Sequence, residues 1–264
     1  MTTTTSGNIA ASTRNHDQVI TEQFGSTAAA YLTSTTHSQG ADLQDLAAYA
    51  QQFSQPVILD VGCGAGHASF ALAPHAGKVI GYDLSSEMLR VVADAAHERG
   101  LDNLEVQQGS ADQLPFADAT FDMVCTRLSA HHWKNLPQAL AEMARVLKPG
   151  GKGIVIDTSS PEDVLADTYL QAIELLRDNS HVRNRSLLAW RALLTDAGFK
   201  VVHDQSWKIM LQFDTWVARM RTPGERIVAI KSLWDSAPTE VRGYFQVQDD
   251  YSFSIDCVLI ALEK

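Results

Sequence analysis

The chain has 264 residues, 45% of them apolar and 20% charged, with 21 Lys+Arg against 31 Asp+Glu and a formal net charge of −10. A chain this long buries roughly 70–75% of its unfolded surface and needs neither a disulfide framework nor a structural metal to hold a core. The negative charge and the absence of any basic run argue against a nucleic-acid partner.

Residues 1–18 are Thr/Ser/Asn-rich and read as a disordered tail. The stretch 19–55 is expected to form a helical cover of two helices joined around Thr33 to Gly40, because Phe24, Ala28, Tyr31 and Leu32, then Leu43, Leu46, Ala47 and Ala50, recur at helical spacing. P-V-I-L-D-V (56–61) is a β-branched run between Pro and Gly, as expected of a strand buried on both faces. A helix then runs to Leu72, K-V-I-G-Y-D (78–83) gives a second strand, and Ser85 caps a helix reaching Arg99 before Gly100. Strands are expected at 104–108, 120–127 and 153–157, with a helix from Leu136 to Leu147 stopped by K-P-G-G. Helices follow at 164–176 and 187–197, and strands at 199–207 and 252–261 enclose a helical insert at about 210–250. This alternation predicts an α/β, doubly wound, mostly parallel seven-stranded sheet, with the domain proper spanning 56–264.

Three cysteines, Cys63, Cys125 and Cys257, sit far apart in apolar runs and read as reduced buried thiols. The N-terminus has no signal-peptide pattern and no stretch approaches a membrane span, so a soluble, cytoplasmic protein without membrane insertion is expected.

The most informative segment is V-I-L-D-V-G-C-G-A-G-H (57–67). Gly62, Gly64 and Gly66 lie where a buried strand turns into a helix, so the backbone can approach a ligand closely. The spacing is GxGxG rather than the GxGxxG of dinucleotide folds, and Asp60 stands just before it. A carboxylate there would oppose a pyrophosphate and favour a cationic or zwitterionic ligand. Asp83, at the tip of the second strand, is placed to accept both hydroxyls of a ribose, an arrangement shared with nicotinamide enzymes.

D-V-G-C-G-A-G, G-Y-D-L-S-S-E-M-L, Q-G-S-A-D-Q-L-P-F-A-D-A-T-F-D and V-L-K-P-G-G, in this order, resemble the successive motifs of class I S-adenosylmethionine-dependent methyltransferases, which share a Rossmann-like fold. Within that class the chain is similar to the ubiquinone/menaquinone C-methyltransferase (UbiE-type) family and its YafE-like bacterial members. The resemblance implies that S-adenosyl-L-methionine is the cofactor. Asp60 would meet the methionine ammonium, with Gly62, Cys63, Gly64 and Gly66 beside the carboxypropyl chain and ribose. Asp83 would accept the ribose hydroxyls, Leu84 and Met88 would flank the adenine, and Ser110, Ala111 and Asp112 would read its edge. Family members often carry Asp where this chain has Ser110, so a backbone contact from Ala111 is expected there. Arg127 would line the methionine end through its main chain. No metal is implied.

Methyl transfer needs in-line positioning of a nucleophile, and a general base only if that nucleophile must lose a proton. His131 and His132 in S-A-H-H-W follow the fourth strand at the rim of the site and are the candidate catalytic residues, the alternatives being substrate lining and plain packing. The substrate wall is expected from Phe24, Tyr31 and His37 and from Trp216, Arg219, Met220 and Arg221 in the insert, although Trp216 and Met220, spaced i, i+4, also fit a core-facing helix stripe. Were Arg219 and Arg221 to face the pocket, an acidic substrate would follow. His181, Arg183 and Arg185 form a further polar cluster, and F-G-S-T-A-A-A-Y resembles part of the malonyl-carrier-protein O-methyltransferases. The expected activity is methylation of a small molecule. The rivals are a nicotinamide-dependent oxidoreductase, for which neither GxGxxG nor Tyr-x-x-x-Lys is present, and a non-catalytic S-adenosylmethionine-binding module.

Overall fold

The computed structural model describes residues 14–25 and 40–264; Tyr31, His37 and the first thirteen residues of the expected tail lie outside them. Seven strands form one sheet in the order β3-β2-β1-β4-β5-β7-β6, with β1 at Val57–Val61, β2 at Lys78–Asp83, β3 at Leu104–Gln108, β4 at Phe121–Arg127, β5 at Leu147–Ser159, β6 at Lys200–Leu211 and β7 at Phe253–Glu263. The first five pair in parallel, while β7 runs antiparallel to both β5 and β6. The sheet therefore turns round at β1, between β2 and β4, and that switch point opens a crevice at the carboxyl ends of its strands.

Helix α1 (His16–Gly25) begins inside the stretch expected as tail, and α2 (Ala41–Ala50), α3 (His67–Leu72), α4 (Ser86–Glu98), α5 (Leu136–Val146), α6 (Val164–Arg177) and α7 (Leu187–Asp196) follow. The stretch between β6 and β7 holds α8 (Phe213–Arg219), α9 (Gly224–Ser236) and α10 (Thr239–Phe245). Side-chain oxygens start three of these helices: Ser85 accepts from the Met88 N–H, Asp163 from Ala166 and Ser186 from Ala189.

Strand alternation sends apolar side chains to both faces of the sheet. Ile58, Met123, Cys125 and Ile154 pack with Leu46 of α2, Leu72 of α3 and Val92 of α4. Leu59, Val124, Val155 and Ile260 pack on the other side with Leu140 and Met143 of α5 and Trp190 of α7. A third core gathers Leu170 and Ile173 of α6 with Phe213, Trp216, Trp234 and Phe245 of the last three helices around Phe253 and Ile255. Ser159, the last residue of β5, pairs with Asp256, so Phe253 and Ile255 project past the carboxyl end of β5. The third core is thereby held over that end of the sheet, beside the crevice.

Candidate active site

Two cavities meet at the crevice, sharing Phe24, Arg127, Leu128 and His132 as walls. The first, of about 160 Å³, is bounded by the glycine turn after β1 and the tips of β2 and β3. Asp60 at the end of β1 is wholly buried; Ser69 Oγ donates to it at 2.6 Å and the Cys125 thiol lies 3.8 Å away. Burial raises its pKa to about 6 against the lowering bond from Ser69, with nearby Asp83 adding to the rise. A buried carboxylate with so little compensation invites a cation.

Asp83 ends β2 and takes the Gly64 N–H at 2.8 Å on one oxygen and the Ser85 N–H at 2.9 Å on the other. Burial raises its pKa, opposed by these backbone donors. The turn itself requires glycine: Gly62 has φ +70°, and a Cβ there would come within 2.1 Å of Ser129 Oγ; Gly64 has φ +51° and faces open space. Leu84, Met88, Ser110, Ala111 and Asp112 complete the wall, Ser110 Oγ donating to Asp112 at 2.6 Å. Gly66 does not line the cavity. It sits at the start of α3, donating its N–H to the Cys63 carbonyl. The Arg127 guanidinium is engaged in a buried ion pair with Asp42 of α2, while the residue lines the first cavity.

The second cavity, of about 660 Å³, lies under the third core. His131 and His132 occupy a 3-10 turn after β4, their rings 4.2 Å apart. Nδ1 of His131 meets Asp157 Oδ1 at 2.5 Å, and Asp157 Oδ2 accepts the His131 main-chain N–H at 3.0 Å. Burial pulls the His131 pKa down, but Asp157, with Glu174 and Asp178 behind it, outweighs this and the net shift is upward. His132 goes the other way: burial and the adjacent His131 lower it to about 4, and Nδ1 donates to the Ser180 carbonyl at 3.0 Å. With Nδ1 protonated in each ring, Nε2 of either imidazole is an acceptor when that ring is neutral.

Of the expected substrate wall, Phe24, Trp216, Arg219 and Met220 line this cavity and Arg221 does not. Trp216 and Met220 are also 2% and 4% exposed, so one helix face serves both core and wall. His181, Arg183 and Arg185 line neither cavity. His181 bonds Gln171 at 3.0 Å, Arg183 pairs with Asp167, and the Arg185 carbonyl accepts from Ser159 and Ser160.

Several site residues escaped the sequence reading. Asp157 could have been found by the rule that picked out Asp83, an acidic residue on a strand near its carboxyl end. Asp42, Glu174, Arg177 and Asp178 carry no such mark, since two segments far apart in sequence bring them together. Helix α1 adds His16, Asp17 and Ile20 to the first cavity, His16 Nε2 lying 3.0 Å from the His132 carbonyl.

A methyltransferase-domain family model matches residues 59–155. The chain is 45% identical over 203 residues to the Escherichia coli uncharacterized protein YafE, covering 77% of this chain and 98% of that one. The crystal structure of Bacillus subtilis YcgJ superposes with a TM-score of 0.81 at 34% identity, covering 85% of this chain and 98% of that chain. A demethylmenaquinone methyltransferase of Chlorobaculum parvum is 37% identical over 118 residues, 44% of this chain and 47% of its own length.

Proposed function

Because the chain belongs to the methyltransferase family that these relatives define, we propose that it methylates a small-molecule acceptor with S-adenosylmethionine, binding the donor in the first cavity and the acceptor in the second. The observation that carries this reading is the junction. A cavity with the electrostatics for a cationic nucleoside opens, at His132 and Arg127, onto a larger one walled by aromatic and ionisable groups.

The residues present fit the donor. It carries an ammonium, a sulfonium and a ribose diol, and supplies a methyl group already activated by its positive sulfur. Asp60 offers the buried negative charge for the cationic portion. Asp83, whose oxygens are oriented by the Gly64 and Ser85 N–H groups, retains lone pairs for the diol. Met88, 2% exposed, and Leu84 supply an apolar slot for the base, and the main chain at Ala111 supplies polar edges. The side chain of Ser110 is already spent on Asp112, which supports the expectation that the main chain does the reading there.

His131 and His132 stand between the two ligands and are the groups placed to hold or remove an acceptor proton. Helix α1, crossing the first cavity with Phe24 edge-on to His132 at 5.0 Å, screens both from water. A nicotinamide ligand is disfavoured by Asp60 and by the family. The chain has no described helix long and apolar enough to cross a membrane, and we place its reaction in the cytoplasm.

The test is titration of folded protein with S-adenosylhomocysteine followed by S-adenosylmethionine. Micromolar binding is expected for both. No heat with either would remove the donor assignment. Binding of both with no methyl transfer to any acceptor would favour a non-catalytic module.

A further inference from the structure

The second cavity is rich in charge, and the charged residues of its described lining already hold partners. Arg127 is paired with Asp42. Arg177 lies 3.4 Å from Glu174, also donates Nε to the Trp216 carbonyl at 3.0 Å, and stacks on the Trp216 ring at 4.9 Å. Asp178 receives the Ser180 N–H at 2.8 Å and hydroxyl at 2.6 Å, and Asp45 takes the Gln205 amide at 2.7 Å. Arg219 has an interaction of its own. A carboxylate ligand at Arg127 or Arg177 would have to break an existing ion pair, and an ammonium ligand would have to share Asp178 or Asp45 with the neutral donors already there. Breaking either arginine pair leaves a buried carboxylate uncompensated.

Two other parts of the described lining bear on recognition. One is the apolar wall of Trp207, Ile209, Leu211, Trp216, Met220 and Ile255. The other is the pair of Nε2 acceptors on His131 and His132. An N–H or O–H donor is therefore what the polar end can recognise, and a flat apolar body is what the remainder can bury.

Resting on the methyltransferase reading above, we propose that the second cavity takes an uncharged acceptor carrying a weakly acidic hydroxyl, a phenol or enol, on an aromatic or apolar body, with His131 as the base that accepts its proton. The hydroxyl oxygen gains the methyl carbon as the donor's carbon–sulfur bond breaks. The hydroxyl proton passes to Nε2 of His131 and from there to water. The products are a methyl ether and S-adenosylhomocysteine. His131 and not His132 is the base because Asp157 stabilises the imidazolium formed on His131. His132 donates its only N–H to a main-chain carbonyl, has no carboxylate hydrogen-bonded to its ring among the described residues and has His131 beside it. It keeps the hydroxyl oriented as a neutral acceptor. Asp157 acts through His131 and is a positioning residue.

The groups facing the His131 ring are Asp157 from β5, Glu174 of α6 and Asp178 just after it, and the rings of His132 and His181. The pH limb is therefore assigned by variants and not by its midpoint alone.

The experiment uses the full chain saturated with S-adenosylhomocysteine for binding and with S-adenosylmethionine for turnover. The probes are three matched sets on one-, two- and three-ring aromatic bodies: phenols, carboxylates and aminomethyl compounds. Phenols are expected to bind at least tenfold more tightly than either charged set and to yield methyl ethers by mass spectrometry. His131→Gln is expected to lower kcat at least 100-fold with S-adenosylhomocysteine affinity within threefold. Asp157→Asn is expected to move the acid limb of kcat to lower pH, which loss of packing alone would not do. His132→Gln should retain a tenth or more of kcat.

Loss of S-adenosylhomocysteine binding by the unaltered chain would overturn the methyltransferase assignment itself. With that binding intact, the proposal falls if no phenol binds, if a charged set binds as well, if the methyl group is found on carbon or nitrogen, or if His131→Gln leaves kcat within tenfold.

Discussion

The two cavities are made by different means. The first is built mainly of backbone and of strand tips close in sequence: a glycine turn, a carboxylate held by two main-chain N–H groups, and the ends of β1, β2 and β3. The second is built of side chains drawn from α2, β4, β6, α6 and α8 and balanced against one another in pairs. A backbone-built site tolerates the loss of most neighbouring side chains. A pair-built site fails when either partner is removed, because the survivor is left buried and charged.

The largest effect is expected where that difference is tested most directly. Arg127 and Asp42 are both 7% exposed at the side chain. Arg127→Ala and Asp42→Ala each remove one member of this buried pair, and each is expected to cost about 3–5 kcal/mol in folding stability. The double variant is expected to recover part of that loss. Chemical denaturation of the three variants checks it. Single-variant costs under about 1 kcal/mol would mean that the pair is wet and that the second cavity is not balanced as described.

Next comes Asp83→Ala, which removes one of the two carboxylates on which the first site does depend. The Gly64 and Ser85 N–H groups lose their acceptor and the proposed diol loses its partner. Hydrogen bonds to a charged group contribute about 1.5–3 kcal/mol, so S-adenosylhomocysteine affinity should fall roughly 10–100-fold. Phenol binding, measured without the nucleoside, should change less than threefold. An equal fall in both would show one continuous site.

The same contrast sets what could be read before the fold was known. Strand tips and the glycine turn are local in sequence, so Asp60, Gly62, Gly64, Asp83 and the Ser110–Asp112 tip were all legible. His131 and His132 were legible for the same reason, as residues just after a strand. The direction of β7 was not, since an alternating apolar run reads alike both ways. Nor were Asp42 and Glu174, because helical periodicity marks them as ordinary polar positions and only tertiary packing turns them toward Arg127 and Arg177. Gly66 was legible as part of the turn but not as a residue outside the cavity.

The third test is pH. The Asp60 pKa stands at about 6 in the folded chain, raised by burial. A cation requires its ionised form, so binding of S-adenosylmethionine expels a proton when the carboxyl is protonated. Affinity should be level above about pH 6 and fall by up to tenfold per unit below it, a cost of about 1.4 kcal/mol for each unit. Asp60→Asn should bind more weakly at pH 8 and lose most of that slope. Calorimetry in two buffers of different ionisation heat counts the proton. A profile rising toward low pH would place the positive charge elsewhere.

The smallest effect is the most discriminating. Ser85 touches the first site twice: its N–H donates to Asp83 at 2.9 Å, and its hydroxyl accepts from the Met88 N–H at 3.3 Å to start α4. Ser85→Ala removes the second contact, together with the hydroxyl's 3.4 Å bond to Glu87, and should lower stability by about 1 kcal/mol, the usual loss for a helix N-cap. The donor to Asp83 is main chain and survives the change, so S-adenosylhomocysteine affinity should shift less than threefold. Thermal unfolding and titration on one preparation separate the two quantities. A tenfold loss of affinity would mean that α4 must be capped to hold Met88 in the cavity, and that the first site depends on side chains as the second does.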